Sequence, residues 1–303
     1  MFIVQTLLPI FWETVLPVFL IAFAGYLLAW RMSIDGRSLG RLLFYLATPA
    51  LVFRSLYSMT LDPGALRQIA CVAALVITLT GMAGWLVAID RERRERVALV
   101  LTSAVSNNGN MGIPISFFAF GPTGMALASI YYVVASFMNN TVGVVVASSG
   151  QAPLAKALQN TLSVPVLYTA ILGLLLNQLA WELPVPLYRS IDLLADAAIP
   201  GMLALLGINL RAAPKLQAQG VLWRSLLVRL GGGPVIAWLL CLLFGIVGVE
   251  RSVLILQAAM PTAVISAVLA TEFDAAPYLV TTAIFMTTLA SMGTLSIVLW
   301  LLL

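Results

Sequence analysis

Long apolar runs, separated by short polar segments, recur along the whole chain. A run of about 20 apolar residues is the length that an α-helix needs to cross the hydrocarbon core of a bilayer. The pattern predicts ten such spans, with no connection long enough to form a soluble domain. Numbered in chain order, they are Leu8–Trp30, Leu39–Leu56, Ile69–Ala88, Val97–Phe120, Gly124–Ser148, Ser163–Leu179, Ile191–Leu210, Leu222–Val247, Val253–Thr271 and Tyr278–Leu301. The sequence therefore predicts an all-α polytopic membrane protein.

The composition supports a membrane protein and no other class. Of 303 residues, 61% are hydrophobic and 9% are charged, and the mean hydropathy is +1.03. Soluble domains of this size do not have such a composition. The first apolar run contains Glu13 and lacks a basic segment before it, so we expect a retained span and not a signal peptide. Cys71 and Cys241 both lie in apolar runs and are predicted to be small buried residues.

The chain contains no histidine. This excludes histidine as a metal ligand and as the base of a Ser-His or Cys-His nucleophile. No pair of adjacent aspartates lies within a predicted span. We therefore expect no enzymatic activity, no cofactor and no metal site. Lysine and arginine form no stripe opposite aromatic residues, so nucleic acid is not an expected partner.

The distribution of basic residues predicts an orientation in the membrane. Of the sixteen Lys and Arg residues, eleven lie in loops on one side of the predicted spans and four on the other. Loops rich in Lys and Arg remain in the cytoplasm. The larger set includes Arg91, Arg96, Lys156 and Lys215, and we expect that side to be cytoplasmic. Both termini are then predicted to lie outside.

Span 4 contains a polar interruption, Ser106–Ile115, with three asparagines, two glycines and a proline. Proline removes a backbone donor and clashes with the preceding turn, and glycine tolerates an unwound backbone. In hydrocarbon, a broken helix is tolerated only where it is buried in protein or lines a wet cavity. A proline kink packed against a neighbouring helix is the alternative. Three asparagines in the same window favour a substrate or ion site of the kind that transporters build.

The chain also repeats its proline pattern. Pro17, Pro49 and Pro114 have counterparts in Pro165, Pro200 and Pro261, at offsets of 148, 151 and 147 residues. Five spans per repeat is an odd number, so the two repeats would cross the membrane in opposite directions. Such inverted repeats are frequent in transporters, with the site near mid-membrane. We expect residues 1–150 to form the first repeat and 151–303 the second.

The repeat predicts a second broken helix in span 9, at Leu256–Ala263. Freed backbone groups from both breaks would meet at the membrane centre. There Pro114 and Pro261 interrupt the helices, while Asn107, Asn108, Asn110, Gln257 and Thr262 offer hydrogen bonds to a substrate.

Four further polar residues inside spans are candidates for the same site. Asn139 and Asn140 lie in span 5 and Asn209 lies near the end of span 7; such asparagines also serve packing between helices. Arg229 lies inside span 8, where an arginine is costly and faces a cavity or a partner. It is a candidate counter-charge for a carboxylate substrate, or it reaches the interface beside Arg224. Glu13 and Asp196 are candidates to carry a coupling proton.

Three motifs resemble the auxin efflux carrier family. They are Asn107–Pro114, Leu43–Leu51 and Leu256–Ala263, and their order and spacing extend the resemblance over nearly the whole chain. The family includes bacterial carriers of malonate, malate and related organic acids and the plant PIN-type auxin exporters. The long loop of many plant members is absent, because the connection at residues 151–160 is short. The chain is therefore similar to the compact bacterial members.

The resemblance implies ten helices in two inverted five-helix repeats, related to bile acid:sodium symporters and NhaA-like antiporters, with helices 4 and 9 crossing at Pro114 and Pro261. Spans 1, 2, 6 and 7 would form a scaffold panel, and spans 3–5 and 8–10 a transport panel that moves as an elevator. It also implies a homodimer. In plant members an asparagine lies seven residues before the crossing proline, a place that Asn107 fits.

The main hypothesis is a secondary active transporter in a bacterial inner membrane. It would carry a small organic anion such as malonate, malate or lactate, coupled to H⁺ or Na⁺; Asn108 and Asn110 favour a small acid over an aromatic, auxin-like one. A sodium-coupled symporter of the bile-acid type is one alternative, distinguished by sodium dependence. A membrane sensor that binds an anion without flux is the other.

Overall fold

A computed structural model describes residues 7–59, 63–148, 158–159, 161–211 and 220–303. Over these residues the chain is helical, and the only β pairing is an isolated antiparallel bridge between Ser106 and Thr262. The prediction of an all-α protein is confirmed. Lys156, Lys215 and most of the connection at residues 151–160 lie outside the described residues.

The principal helices follow the apolar runs. In chain order they are α1 Leu7–Arg31, α2 Gly36–Tyr57, α3 Pro63–Val87, α4 Arg93–Ala104, α5 Asn108–Ala147, α6 Pro165–Gln178, α7 Val185–Arg211, α8 Leu222–Leu243, α9 Gly248–Ala258, α10 Ile265–Glu272 and α11 Pro277–Leu302.

Among the described residues, seven helices are long and apolar enough to cross a membrane: α1, α2, α3, α5, α7, α8 and α11. Helix α6 is apolar but shorter. Predicted span 4 is divided between α4 and the first part of α5, and predicted span 9 between α9 and α10. The 40 residues of α5 are not straight, because Gly121 has φ 64° and ψ −155°, a conformation that suits glycine.

Small residues allow two pairs of helices to approach closely. Helix α1 packs along α7, and α6 packs along α2. At Gly25 and Gly207 an added Cβ would collide with the backbone carbonyls of Ala204 and Ala22 on the facing helix. At Gly173 an added Cβ would lie 3.0 Å from the carbonyl oxygen of Phe53. Close packing at small residues is a principal source of helix association in membranes.

The outer faces of the helices carry large exposed apolar side chains, among them Phe23, Trp85 and Leu193. Such faces are stable against lipid tails, which are as apolar as a protein core. This explains why the prediction for one cysteine was wrong. Cys241 is buried, but Cys71 is exposed on α3, because apolar residues of a membrane helix face either lipid or protein.

Candidate functional site

The two broken segments cross each other. We name residues 105–108 and 259–263 the crossover. The N–H of Asn107 donates to the carbonyl oxygen of Pro261 at 2.7 Å, and the N–H of Ala263 donates to that of Val105 at 3.0 Å. These bonds pair backbone groups that left the helical ladder, as a low-dielectric interior requires.

Side chains join the same segments. The side-chain amide of Asn108 donates to the backbone and side-chain oxygens of Gln257, each at 2.9 Å. Gln257 donates in turn to the hydroxyl of Ser116 at 3.1 Å. Thr262 donates its hydroxyl to the carbonyl oxygen of Thr102 at 2.8 Å. All of these side chains are buried, so the polar groups of Asn108, Gln257 and Thr262 are engaged in holding the crossover.

A cavity of about 230 Å³ lies beside the crossover. It brings together four of the predicted site residues, Asn107, Asn110, Asn139 and Asn140. Hydroxyl-bearing residues at four other positions, Thr48, Ser106, Tyr132 and Ser136, also line it. The remaining predicted residues, Asn108, Pro114, Arg229, Gln257, Pro261 and Thr262, are not among the described residues that line this cavity. Pro114 is the second residue of the α-helical part of α5, directly after the turn Asn108–Gly112.

The N-terminal ends of two helices meet the cavity. Gly109 and Asn110 belong to the first turn of α5, and Val264 and Ile265 lie at the start of α10. The first four N–H groups of a helix have no partner within it, and they carry a partial positive charge. Of the described residues that line the cavity, none has a charged side chain. An anion here would therefore be attracted by helix termini and neutral amides.

Two helices, α2 and α5, change pitch at three places where they border the cavity. π-Helical turns occupy Leu43–Ala47, Asn108–Gly112 and Asn139–Gly143, and each contributes residues to the cavity lining. A π turn is rare and often marks a functional site, because the extra residue redirects side chains and frees a backbone carbonyl. The turn at Asn139–Gly143 allows both Asn139 and Asn140 to line the cavity.

Arg229 lies on the other side of the crossover. Its side chain is 1% exposed, and Nη1 donates to the carbonyl oxygen of Ser103 at 2.6 Å, with Ala104 at 3.5 Å. Nη2 donates to the carbonyl oxygen of Ala258. These carbonyls end α4 and α9. Arg229 thus faces backbone carbonyls in this structure. Its role as a counter-charge for the substrate stays a prediction.

The candidate coupling carboxylates lie away from the cavity. Glu13 is exposed on α1, and Asp192 and Asp196 each accept a hydrogen bond at 2.6 Å from Arg54. Neither Glu13 nor Asp196 is among the described lining residues. Across the described ranges, no cluster of three His, Cys, Asp or Glu residues could hold a metal ion.

Sequence reasoning missed Thr48, Tyr132 and Ser136. A signal for two of them was present. Tyr132, Ser136, Asn139 and Asn140 are spaced i, i+4, i+7 and i+8 along one helix, which places them on a single face. The amide of Asn140 donates to the carbonyl oxygen of Ser136 at 2.8 Å, which orients this face. Thr48 carried no comparable signal.

A comparison with protein families gives a match to the model described as "Membrane transport protein" over residues 10–300. The chain belongs to this family, the auxin efflux carriers. It is accordingly a membrane protein of a transporter family, and its relatives are named as transporters and not as enzymes.

Three relatives illustrate the range of the family. An "Uncharacterized transporter" of Methanothermobacter thermautotrophicus is 30% identical over 95% of this chain and 96% of its own. A protein of Rhizobium meliloti named "Putative malonate transporter" is 27% identical over 95% of this chain and 94% of its own. "Auxin efflux carrier component 3" of Arabidopsis thaliana is 29% identical over 40% of this chain and 20% of its own.

Proposed function

We propose that the chain is a secondary active transporter of a small organic anion, a mono- or dicarboxylate such as malonate, malate or lactate. One observation carries this proposal: a small cavity at which two helix N-termini and four asparagines converge without a charged side chain. Helix N-termini with free N–H groups are anion sites. The relative named for malonate, aligned over nearly its full length, supports the same substrate class.

The size of the cavity favours a small acid. Pockets for drug-sized ligands occupy about 300–1,000 Å³, and this cavity has about 230 Å³. Its hydrogen-bonding groups lie on several sides, on α2, α5 and the crossover. A small acid with one or two carboxylates fits this volume better than a larger aromatic acid does.

We also propose that the chain has ten spans in two inverted repeats, which together form a scaffold panel and a transport panel. Two close contacts support the repeat. Gly25 approaches Ala204, and Gly173 approaches Phe53. The proline offset of 148 residues relates Gly25 to Gly173, and the offset of 151 residues relates Phe53 to Ala204. The contact of Gly25 with Ala204 therefore corresponds to the contact of Gly173 with Phe53 when the two proposed repeats are exchanged. This equivalence supports the proposed repeat.

The cavity position supports movement of one panel against the other. Gly40, Leu43 and Thr48 on α2 and Leu205 on α7 belong to the proposed scaffold panel. The crossover and the second part of α5 belong to the proposed transport panel. A substrate between two panels is exposed to alternate sides when one panel slides, which is the elevator mechanism. A bacterial inner membrane location with both termini outside completes the proposal; a homodimer stays a prediction.

The test is uptake into proteoliposomes of labelled malonate, malate, lactate and indole-3-acetate, each with a proton gradient, with a sodium gradient and with neither. We expect uptake of one small acid and little of indole-3-acetate. Binding of an acid without flux would favour a sensor, and preference for indole-3-acetate would contradict the size argument.

Variants connect the uptake to the cavity. Asn110→Ala removes one amide at the start of α5, and a hydrogen bond to a charged group contributes about 1.5–3 kcal/mol, which is about 10- to 100-fold in affinity. Asn110→Asp has nearly the same shape but repels an anion, so we expect a larger loss. Asn209→Ala is the matched control, because Asn209 is a half-buried asparagine outside the cavity lining. Equal uptake by all four proteins would contradict the assigned site.

A further inference from the structure

Arg229 is the largest fully buried side chain among the described residues. It lies in the π-helical turn Leu227–Gly232 within α8, about two turns after that helix begins. The ion pairs found between described side chains do not include it. A buried cation inside a membrane pairs with an acidic group or with backbone carbonyls, or faces a water-filled cavity, and no acidic side chain among the described residues pairs with Arg229.

The balancing charge comes from the backbone. Nη1 and Nη2 donate to the carbonyl oxygens of Ser103 and Ala258, and Nη1 also lies 3.5 Å from that of Ala104. These residues form the last turns of α4 and α9. The C-terminal carbonyls of a helix carry a partial negative charge. Two helices end at the guanidinium, so their combined partial charges approach one elementary charge.

Local sequence makes room for this arrangement. A Cβ added at Gly233 would lie 2.6 Å from Nη2 of Arg229 and would collide with the carbonyl oxygen of Ala258. Gly233 is one helical turn after Arg229 on the same helix. The glycine therefore permits the close approach of α8 to the end of α9 on which the guanidinium contacts depend.

The ends of broken helices and their carbonyls are the groups that coordinate Na⁺ in many transporters. We propose that the guanidinium of Arg229 takes the place of that alkali cation, so that the crossover is held by a tethered charge and transport needs no sodium. This inference rests on the proposed function of a carrier. Arg229 is thus a positioning residue: it fixes α4 and α9, and the opposite ends of the crossover then present the N-termini of α5 and α10 to the cavity.

A tethered cation differs from a bound ion in one functional respect. Sodium must bind and leave in each cycle, and its gradient can then drive transport. Arg229 cannot leave, so it supplies the electrostatic support of the crossover without supplying a driving force. The coupling must come from another ion or from the substrate gradient.

The first experiment measures thermal unfolding without any substrate, so that it decides this inference even if no tested acid is transported. Wild-type protein, Arg229→Ala, Arg229→Met and Arg229→Lys are purified in choline chloride. Each is then heated in choline, in sodium, and in choline with low millimolar guanidinium, far below denaturing concentrations. Methionine removes the charge with little change of volume, and lysine retains the charge.

We expect the wild-type Tm to be the same in sodium and choline. Loss of the buried charge should lower the Tm of Arg229→Ala and Arg229→Met by about 5 °C or more. Arg229→Lys should lie between these variants and wild type, because lysine keeps the charge but lacks the two separate nitrogens that reach Ser103 and Ala258. Guanidinium or sodium should raise the Tm of Arg229→Ala, where a cavity has opened, and should leave the wild type unchanged. If the alanine and methionine variants do not fold, folding of Arg229→Lys alone supports the role of the charge.

The second experiment measures uptake by the same proteins. Wild-type uptake should be equal in sodium and choline, and Arg229→Ala should lose about tenfold or more and recover in part with guanidinium. Three results would overturn the inference: stabilisation or activation of the wild type by sodium, an Arg229→Met variant as stable as wild type without added cation, or an Arg229→Lys variant as defective as Arg229→Met. A wild-type protein that transports no acid but shows the expected Tm pattern would reject only the proposed function.

Discussion

Gly112 on α5 packs against the side chain of Gln257 on α9, where the two broken helices meet. An added Cβ there would collide with the side-chain oxygen of Gln257 and lie 2.9 Å from its amide carbon and nitrogen. The backbone itself would accept alanine, because Gly112 has φ −66° and ψ −45°. The substitution Gly112→Ala therefore tests one thing, the space that the amide of Gln257 needs.

The magnitude follows from the bonds that Gln257 would lose. A displaced amide breaks the 2.9 Å bond from Asn108 and the 3.1 Å bond to Ser116. Each buried polar group left unpaired costs about 1–3 kcal/mol, and alanine returns about 0.5–1 kcal/mol over glycine in a helix. The net loss is about 1–5 kcal/mol, which at about 2 °C per kcal/mol corresponds to a fall in Tm of about 2–10 °C.

The assay is thermal unfolding of purified protein in detergent. Gly293→Ala is the matched control, because Gly293 lies in α11 with open space where its Cβ would be. We expect that variant to be as stable as wild type or slightly more stable. A Tm for Gly112→Ala equal to that of Gly293→Ala would refute the reasoning.

A double variant adds a second check. Gln257→Ala removes the side chain with which the new methyl group collides. If the collision is the cause, Gly112→Ala should cost little in the Gln257→Ala background, which gives a large coupling energy between the two positions. Additive losses would show that Gly112→Ala acts through a different contact.

Further predictions concern the scaffold and the loops. Gly207→Ala should separate α1 from α7, because its Cβ would collide with the carbonyl of Ala22. The unfolding temperature and the yield of folded protein measure this effect. Gly220→Ala is the control, because a Cβ at that position would meet open space. The hydrogen bond from Arg224 holds the pKa of Asp90 below its ordinary value of 3.8. Because the pKa of Asp90 is lower in the folded protein than in the unfolded chain, the ionised carboxylate stabilises the fold at pH values above its ordinary pKa. This contribution is lost as the pH falls through the lowered pKa. Asp90→Asn removes the titration, so it should flatten the dependence of stability on pH below about pH 4 and leave uptake at neutral pH intact.

Much of the crossover was predictable because its residue types differ sharply from those of the apolar runs around it. Amides, glycines and prolines in the middle of an apolar run cannot be explained by lipid contact, and so Pro114 and Pro261 identified both breaks. The repeat then related the two positions. The structure confirms that these segments meet, through the bonds of Asn107 to Pro261 and Asn108 to Gln257.

The assignment of each polar residue to the cavity or to the crossover was not predictable. Asn107 and Asn108 are adjacent, yet Asn107 lines the cavity and Asn108 bonds to Gln257. Asn107 has a non-helical backbone and Asn108 begins the π-helical turn Asn108–Gly112, and hydrophobic periodicity does not reveal where a broken helix resumes. Arg229 had the same ambiguity, since position within a span does not reveal which neighbouring helix end a side chain reaches.

The crossover joins residues that are far apart in the chain, and this has a consequence for synthesis. Asn108 and Gln257 are 149 residues apart, and at about 5–20 residues per second the ribosome needs roughly 7–30 s to add that length. Throughout this interval the break after α4 has no partner, although hydrocarbon tolerates no unpaired backbone. The break between α4 and α5 must therefore lie against a protein or water surface until α9 and α10 arrive.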